Sequence, residues 1–84
     1  MYRIELSKLA KKQIEEIPVV YYYNIEKHLD SLAINPYPKG CKKLAGSQKT
    51  YRIRVGVYRI IYEVHNNILI IRIITISHRK DAYK

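Results

Sequence analysis

The sequence predicts an α+β fold in the order β-α-α-β-β-β, an antiparallel sheet with a two-helix hairpin on one face. Three observations predict it. A period-two stretch opens the chain, two stretches of helical period follow, and from Thr50 onward β-branched and aromatic residues run on, interrupted by Gly56-Val57 and Asn66-Asn67.

Tyr2, Ile4 and Leu6 alternate with Arg3 and Glu5, which is a half-buried strand. Ser7 is placed to cap the next helix through its hydroxyl. Leu6, Ala10, Ile14 and Ile17 recur on one helical face, while Lys11–Glu15 and Lys12–Glu16 sit one turn apart on the wet side. Pro18 ends this helix and opens the next. Tyr22, Ile25, Leu29, Leu32 and Ala33 form a second apolar stripe, closed by Asn35-Pro36. His28, among Lys27 and Asp30, reads as a surface residue, and the Tyr21–Tyr23 cluster reads as packing. Tyr37 to Gly40 is a loop. Thr50–Val55, Tyr58–His65 and Ile68–Ser77 then read as three strands joined by tight turns at Gly56-Val57 and Asn66-Asn67. No repeat or low-complexity tract divides the chain, so one domain over residues 1–84 is expected.

Composition narrows the class. A chain of 84 residues with 48% hydrophobic content supports one modest core. Nine tyrosines supply all the aromatic surface, since Trp and Phe are absent. The lone Cys41 excludes an internal disulfide. The opening MYRIELSKLAKK has no apolar h-region, and the longest apolar run, Ile68 to Ile76, is broken by Arg72 and is too short to span a bilayer. A cytoplasmic protein without membrane association is expected. Three histidines and seven acids lie scattered without ligand spacing, so neither a metal nor another cofactor is expected.

Charge is segregated. Up to Pro38, five bases balance five acids; from Lys39 on, eleven bases face only Glu63 and Asp81, so the whole net +9 lies in the C-terminal half. A solvated surface needs no such segregation, and a polyanion-binding face does.

The hairpin register follows from the turn. With Gly56-Val57 as a two-residue turn, Val55 opposes Tyr58, and opposed residues share a side of the sheet. Tyr51, Ile53, Val55, Tyr58, Ile60 and Tyr62 then face the helices. Arg52, Arg54 and Arg59 fall on the other side, with Arg54 opposite Arg59. Carrying the register through Asn66-Asn67 sets Arg72 opposite Ile61 on the same open side, interleaved with Ile61, Ile70 and Ile74, and puts Leu69, Ile71 and Ile73 on the core side. Like charges directly opposed cost stability. Guanidinium forks match phosphate oxygens, which gives such a face a use. The interleaved isoleucines suit an amphipathic acidic segment of another protein.

The run Lys43-Leu44-Ala45-Gly46, the strand Tyr51-Arg52-Ile53-Arg54-Val55-Gly56, the strand Tyr58-Arg59-Ile60-Ile61-Tyr62-Glu63 and the tail Ser77-His78-Arg79-Lys80-Asp81-Ala82-Tyr83 together resemble the RelE toxins of the RelE/ParE superfamily in order and spacing. The resemblance covers essentially the whole chain. It implies a toxin of a type II toxin–antitoxin system, a messenger-RNA endonuclease often acting in the ribosomal decoding site. It also implies neutralisation by a cognate acidic, RelB-like antitoxin in a hetero-oligomer. By the same resemblance Arg52, Arg54, Arg59, Arg79 and Tyr83 are the catalytic set. Some relatives carry lysines where this chain has Arg52 and Arg54. The remaining bases Lys42, Lys43, Lys49, Arg72 and Lys80 are expected to bind RNA.

The chemistry fits those residue types. RNA carries its own nucleophile, the 2′-hydroxyl, so a catalyst has to align it, move two protons and stabilise the charge on phosphorus. Arginine supplies charge stabilisation but is a poor base. Tyr83, with a pKa expected to be lowered by neighbouring arginines, and His78 are the tail residues suited to proton transfer. His78 also reads as a strand-end histidine bonding backbone. The alternative reading is a ParE-like toxin that inhibits DNA gyrase without cutting RNA, for which the Arg52, Arg54, Arg59, Arg79 and Tyr83 set is not required together. A passive RNA-binding module would need an aromatic platform on a sheet face, and none is legible.

Overall fold

A computed structural model describes residues 1–80. Its elements run β1 (Arg3–Leu6), α1 (Lys8–Glu15), α2 (Val19–Ile34), β2 (Lys42–Lys43), β3 (Thr50–Val55), β4 (Tyr58–His65) and β5 (Ile70–His78). The strands form one sheet in the order β1-β5-β4-β3-β2. The α+β arrangement is the expected one, with two differences in the sheet. A two-residue β2 is added at the edge, and β1 pairs with β5 in parallel, so the sheet is mixed rather than wholly antiparallel. The cause is topological. The helical hairpin carries the chain to the far edge, and the three-stranded meander walks back and reaches β1 running the same way.

The helices start and stop where local chemistry dictates. The Ala10 amide donates to Ser7 Oγ at 3.0 Å, and Ser7 Oγ itself donates to the Ile74 carbonyl at 2.7 Å. One side chain thus caps α1 and ties it to β5. Gln13 Oε1 accepts the Ile76 amide at 2.7 Å. Side chains of the segment around α1 therefore satisfy β5 backbone beyond the end of β1. Pro18 precedes α2, and its carbonyl accepts the Tyr21 and Tyr22 amides.

Ala10, Ile25, Leu29 and Leu32 of the helices bury against Ile53, Val55, Tyr58, Ile60, Tyr62, Val64, Ile71, Ile73 and Ile76 of the sheet. Each large aliphatic chain so buried contributes roughly 1.5–3 kcal/mol. The Tyr62 hydroxyl donates to the Pro36 carbonyl at 2.7 Å, and its ring stacks on Tyr51 at 6.0 Å between centroids. The loop after α2 is thereby pinned to the core. Burial pushes the Tyr62 and Tyr51 hydroxyls above the ordinary tyrosine pKa.

The first hairpin has the expected register, with Val55 opposite Tyr58 and Arg54 opposite Arg59. Gly56 alone takes a positive φ there, +60°, the mark of a II′ turn. The second turn differs from expectation. His65 pairs with Ile70, so the loop spans Asn66 to Leu69 and β5 begins at Ile70 rather than Ile68. Asn66 is engaged by Tyr2 and donates to the Tyr37 hydroxyl at 3.0 Å, while Ile68 donates to the His65 carbonyl at 3.3 Å. Leu69 takes φ 54° and stays exposed instead of entering the core. The register between β4 and β5 then shifts between Ile61 and Tyr62, which leaves Ile74 as the extra, bulged residue.

Candidate functional site

The helices cover one face of the sheet, and the arginines stand on the other. Ile53, Val55, Ile60 and Tyr62 are buried beneath the helices, so their strand neighbours Arg52, Arg54, Arg59 and Ile61 point the opposite way. Arg54 and Arg59 are cross-strand partners beside the turn. The Arg79 amide donates to the Val57 carbonyl at 2.7 Å, which fastens the segment after β5 to the hairpin turn. Arg54, Arg59 and Arg79 consequently line one shallow groove of about 380 Å³, together with Gly56, Val57 and Tyr58. Arg54 and Arg79 make no ion pair among the described residues, and Arg59 is half-buried.

His78 is set apart from this groove. It pairs with Tyr58, whose side chain is buried on the helix side, and its ring meets Tyr58 edge-on at 5.5 Å. Its Nδ1 accepts the Lys80 amide at 3.1 Å. An acceptor Nδ1 places the proton of the neutral ring on Nε2, so the ring's basic nitrogen is already occupied by backbone. The strand-end histidine bonding backbone is what the structure contains. Tyr83 lies outside the described residues.

The other predicted RNA-binding bases divide. Lys42 pairs with Arg52 across the β2–β3 ladder and shares its side of the sheet, whereas Lys43 pairs with Tyr51 and shares the helix side. Lys49 is exposed in the loop before β3, and Lys80 is exposed beside Arg79. Arg72 departs from expectation. It is on the open face but opposes Glu63 rather than Ile61, with Glu5 on its other flank. The longer second turn displaced it by two residues along β4, away from Arg54 and Arg59. That end of the face is mixed in charge: Arg3 pairs with Glu5 at 3.2 Å, and His65 with Glu63 at 2.9 Å. Ile61 and Thr75 lie half-buried between the two ends, whereas Ile70 lies beyond Arg72, opposite His65.

Sequence reasoning gave no binding role to Lys39, Gly40 or His28, reading His28 as a surface residue and Tyr37 to Gly40 as a loop, yet the three border a second hollow beside Arg52 and Arg54. The Pro38-Lys39-Gly40 turn directly before Lys42 was the available signal, since Gly40 takes φ +93° and turns the chain into β2. The Val57–Arg79 bond has no signature in residue types at all. Among the described residues no helix is long and apolar enough to cross a membrane.

A family model described as the ParE toxin of the type II toxin–antitoxin system, parDE, matches residues 4–83. RelE1 of Methanocaldococcus jannaschii is 34% identical across 99% of this chain and 96% of its own length. In the archaeal RelE–RelB complex from Pyrococcus horikoshii OT3, a chain superposes with a TM-score of 0.83 at 30% identity, covering 93% of this chain and 94% of that one. The isolated E. coli RelE toxin also superposes with a TM-score of 0.83, over 99% of this chain and 96% of that one, at 19% identity, a likeness of fold.

Proposed function

The chain belongs to the RelE/ParE superfamily of type II toxin–antitoxin toxins, and from that membership we propose that it is a metal-independent endoribonuclease that cleaves messenger RNA on the ribosome, in the cytoplasm, and so blocks translation. The observation that carries this reading is the groove in which Arg54, Arg59 and Arg79 converge, with Arg54 and Arg59 directly opposed at the hairpin. Guanidinium forks held side by side match the oxygens of a phosphodiester placed between them.

The step is a transesterification. The 2′-oxygen bonds to phosphorus as the bond to the 5′-oxygen breaks, leaving a 2′,3′-cyclic phosphate and a 5′-hydroxyl. Arg54, Arg59 and Arg79 hold the equatorial oxygens, where negative charge grows in the transition state. Arg52, two residues from Arg54 on the same face, steadies the neighbouring phosphate. Tyr83 takes the proton from the 2′-oxygen and water supplies the one that the departing 5′-oxygen gains, because His78 faces the helices and has its basic nitrogen engaged. Lys42 and Lys80 add long-range attraction for the RNA strand.

The toxin is held inactive by an acidic, RelB-like antitoxin in a hetero-oligomer. The Pyrococcus relative was solved as a RelE–RelB complex. On this chain Ile61 and Thr75, next to the arginines on the open face, offer half-buried apolar contact beside positive charge, which suits an amphipathic acidic segment.

The test is expression with and without a neighbouring acidic open reading frame, followed by mapping of transcript ends. Growth arrest with new 5′-hydroxyl ends inside messages, relieved by the acidic partner, is the expected result. Arrest with intact transcripts and inhibited gyrase would replace the ribonuclease with the gyrase-directed reading.

A further inference from the structure

Arg54 lines two grooves. Beyond the one shared with Arg59 and Arg79, it joins Arg52 on the outer flank of β3 in a second groove. The far wall of that groove is Lys39, Gly40 and Lys42 from the α2–β3 connection, and His28 of α2 also borders it. We propose that this second groove is a subsite for single-stranded RNA, taking the phosphates that flank the scissile bond, so that the strand runs from one groove to the other over Arg54. The proposal rests on the ribonuclease reading of the first groove.

Four observations carry it. Among the described residues no carboxylate lines the groove, while Lys39, Lys42, Arg52 and Arg54 all do. Lys42 and Arg52 are cross-strand partners, a second pair of opposed like charges one step along β3 from Arg54 and Arg59. Like charges opposed at Lys42 and Arg52 weaken the sheet edge, and an anion passing between them restores it. Arg52 and Arg54 are two residues apart on one face, roughly 6.8 Å along the strand, comparable to the spacing of successive phosphates in an extended single strand. At Gly40, a Cβ would meet nothing within 4 Å, so that wall is open to an approaching backbone.

His28 adds a contact specific to a polar ligand. Its Nδ1 lies 2.8 Å from the Asn24 carbonyl. A carbonyl only accepts, so Nδ1 carries the proton and Nε2 of the neutral ring is left as an acceptor for a ribose 2′-hydroxyl or a base amino group. An acidic peptide is the other polyanion at hand. It fits less well here, because among the described residues the one aliphatic side chain on the lining is Ile53, which is already buried in the core.

The test compares salt dependence of binding for a trinucleotide, which reaches only the first groove, and a dodecanucleotide, both uncleavable 2′-O-methyl RNA. The parent chain should show the steeper slope on the dodecanucleotide. Lys39→Ala, at an exposed position, should lower that slope by about 0.7, the value for one single-strand phosphate, and leave the trinucleotide slope unchanged. Equal parental slopes on the two lengths, or a dodecanucleotide slope that Lys39→Ala does not move, would overturn the subsite while leaving the first groove intact. Loss of affinity for an acidic antitoxin peptide in Lys39→Ala, with RNA slopes untouched, would assign the groove to the antitoxin and likewise overturn it. Absence of salt-dependent binding to either oligonucleotide would overturn the subsite, whereas intact transcripts in expressing cells would bring down the ribonuclease reading, and the subsite with it.

Discussion

Arg54 and Arg59 face each other directly across the β3–β4 hairpin, next to its two-residue turn. A cross-strand pair of like charge destabilises by a few tenths to about 1 kcal/mol. Arg54→Ala should therefore melt at the same temperature as the parent or a few degrees higher. In the same variant the salt slope of RNA binding should fall by about 0.7, and cleavage should drop. A variant that loses stability together with RNA binding would show that Arg54 serves the fold.

Arg72 supplies the contrasting test. It stands between Glu5 and Glu63 in the register, at the end of the open face away from the Arg79 groove. Arg72→Ala should leave the RNA salt slope and the cleavage rate within error of the parent. Its effect should be confined to stability, at about 1 kcal/mol or less for an exposed charged position. A slope lowered as much as in Arg54→Ala would place Arg72 on the RNA path after all.

Tyr62 ties stability to alkaline pH. Its hydroxyl donates to the Pro36 carbonyl inside the core, and burial raises its pKa. A raised tyrosine pKa means that the folded chain holds the proton more tightly than the unfolded one. The resulting stabilisation is fully present below the unfolded value of about 10 and is lost as pH rises through the folded value. Tyr62→Phe should cost about 1–3 kcal/mol at neutral pH, because the Pro36 carbonyl loses its donor. That corresponds to a melting temperature lower by roughly 4–8 °C per kcal/mol. Above about pH 10 the variant should lose stability less steeply than the parent. Tyr51, raised by the same burial, should preserve part of the slope. Parallel pH profiles for the two proteins would refute the assignment.

The proton-transfer role is tested by Tyr83→Phe against His78→Ala. General acid–base groups contribute typically about 10²–10⁴-fold. Tyr83→Phe should slow transcript cleavage by a factor in that range, with melting temperature and antitoxin affinity unchanged, and cells should tolerate it at levels where the parent arrests growth. His78→Ala should act on stability through the lost Tyr58 contact and leave the chemical step close to the parent's. Full activity in Tyr83→Phe with loss in His78→Ala would exchange the two roles.

The reach of the sequence is clearest in the two hairpins. Gly56 marks a turn whose geometry fixes everything beside it, so Val55–Tyr58 and Arg54–Arg59 followed from residue types alone. Asn66-Asn67 looked like a turn of the same length. Its asparagine is instead recruited by Tyr2 and Tyr37, from the chain's start and from the loop after α2, and the turn lengthened. The face assigned to Arg72 survived because a shift of two residues preserves parity, whereas its neighbours changed. β1 was legible as a strand but not as a parallel one, since orientation depends on where the helical hairpin delivers the chain. Arg54 and Arg59 of the groove were visible through alternation. Arg79 joined them through a backbone bond to Val57, which no pattern of side chains encodes.

The parallel pairing of Arg3–Leu6 with Ile70–Ile73 has a consequence for synthesis. Of the five described strands β1 is made first and its partner β5 last, so this pair is the last of them to form. At about 5–20 residues per second, β1 waits several seconds without a strand to pair with. Closure across so long a loop is also entropically slow. Throughout that interval Val57 lacks Arg79, and the basic groove is missing one wall. A partner produced alongside has that interval in which to be present when β5 docks.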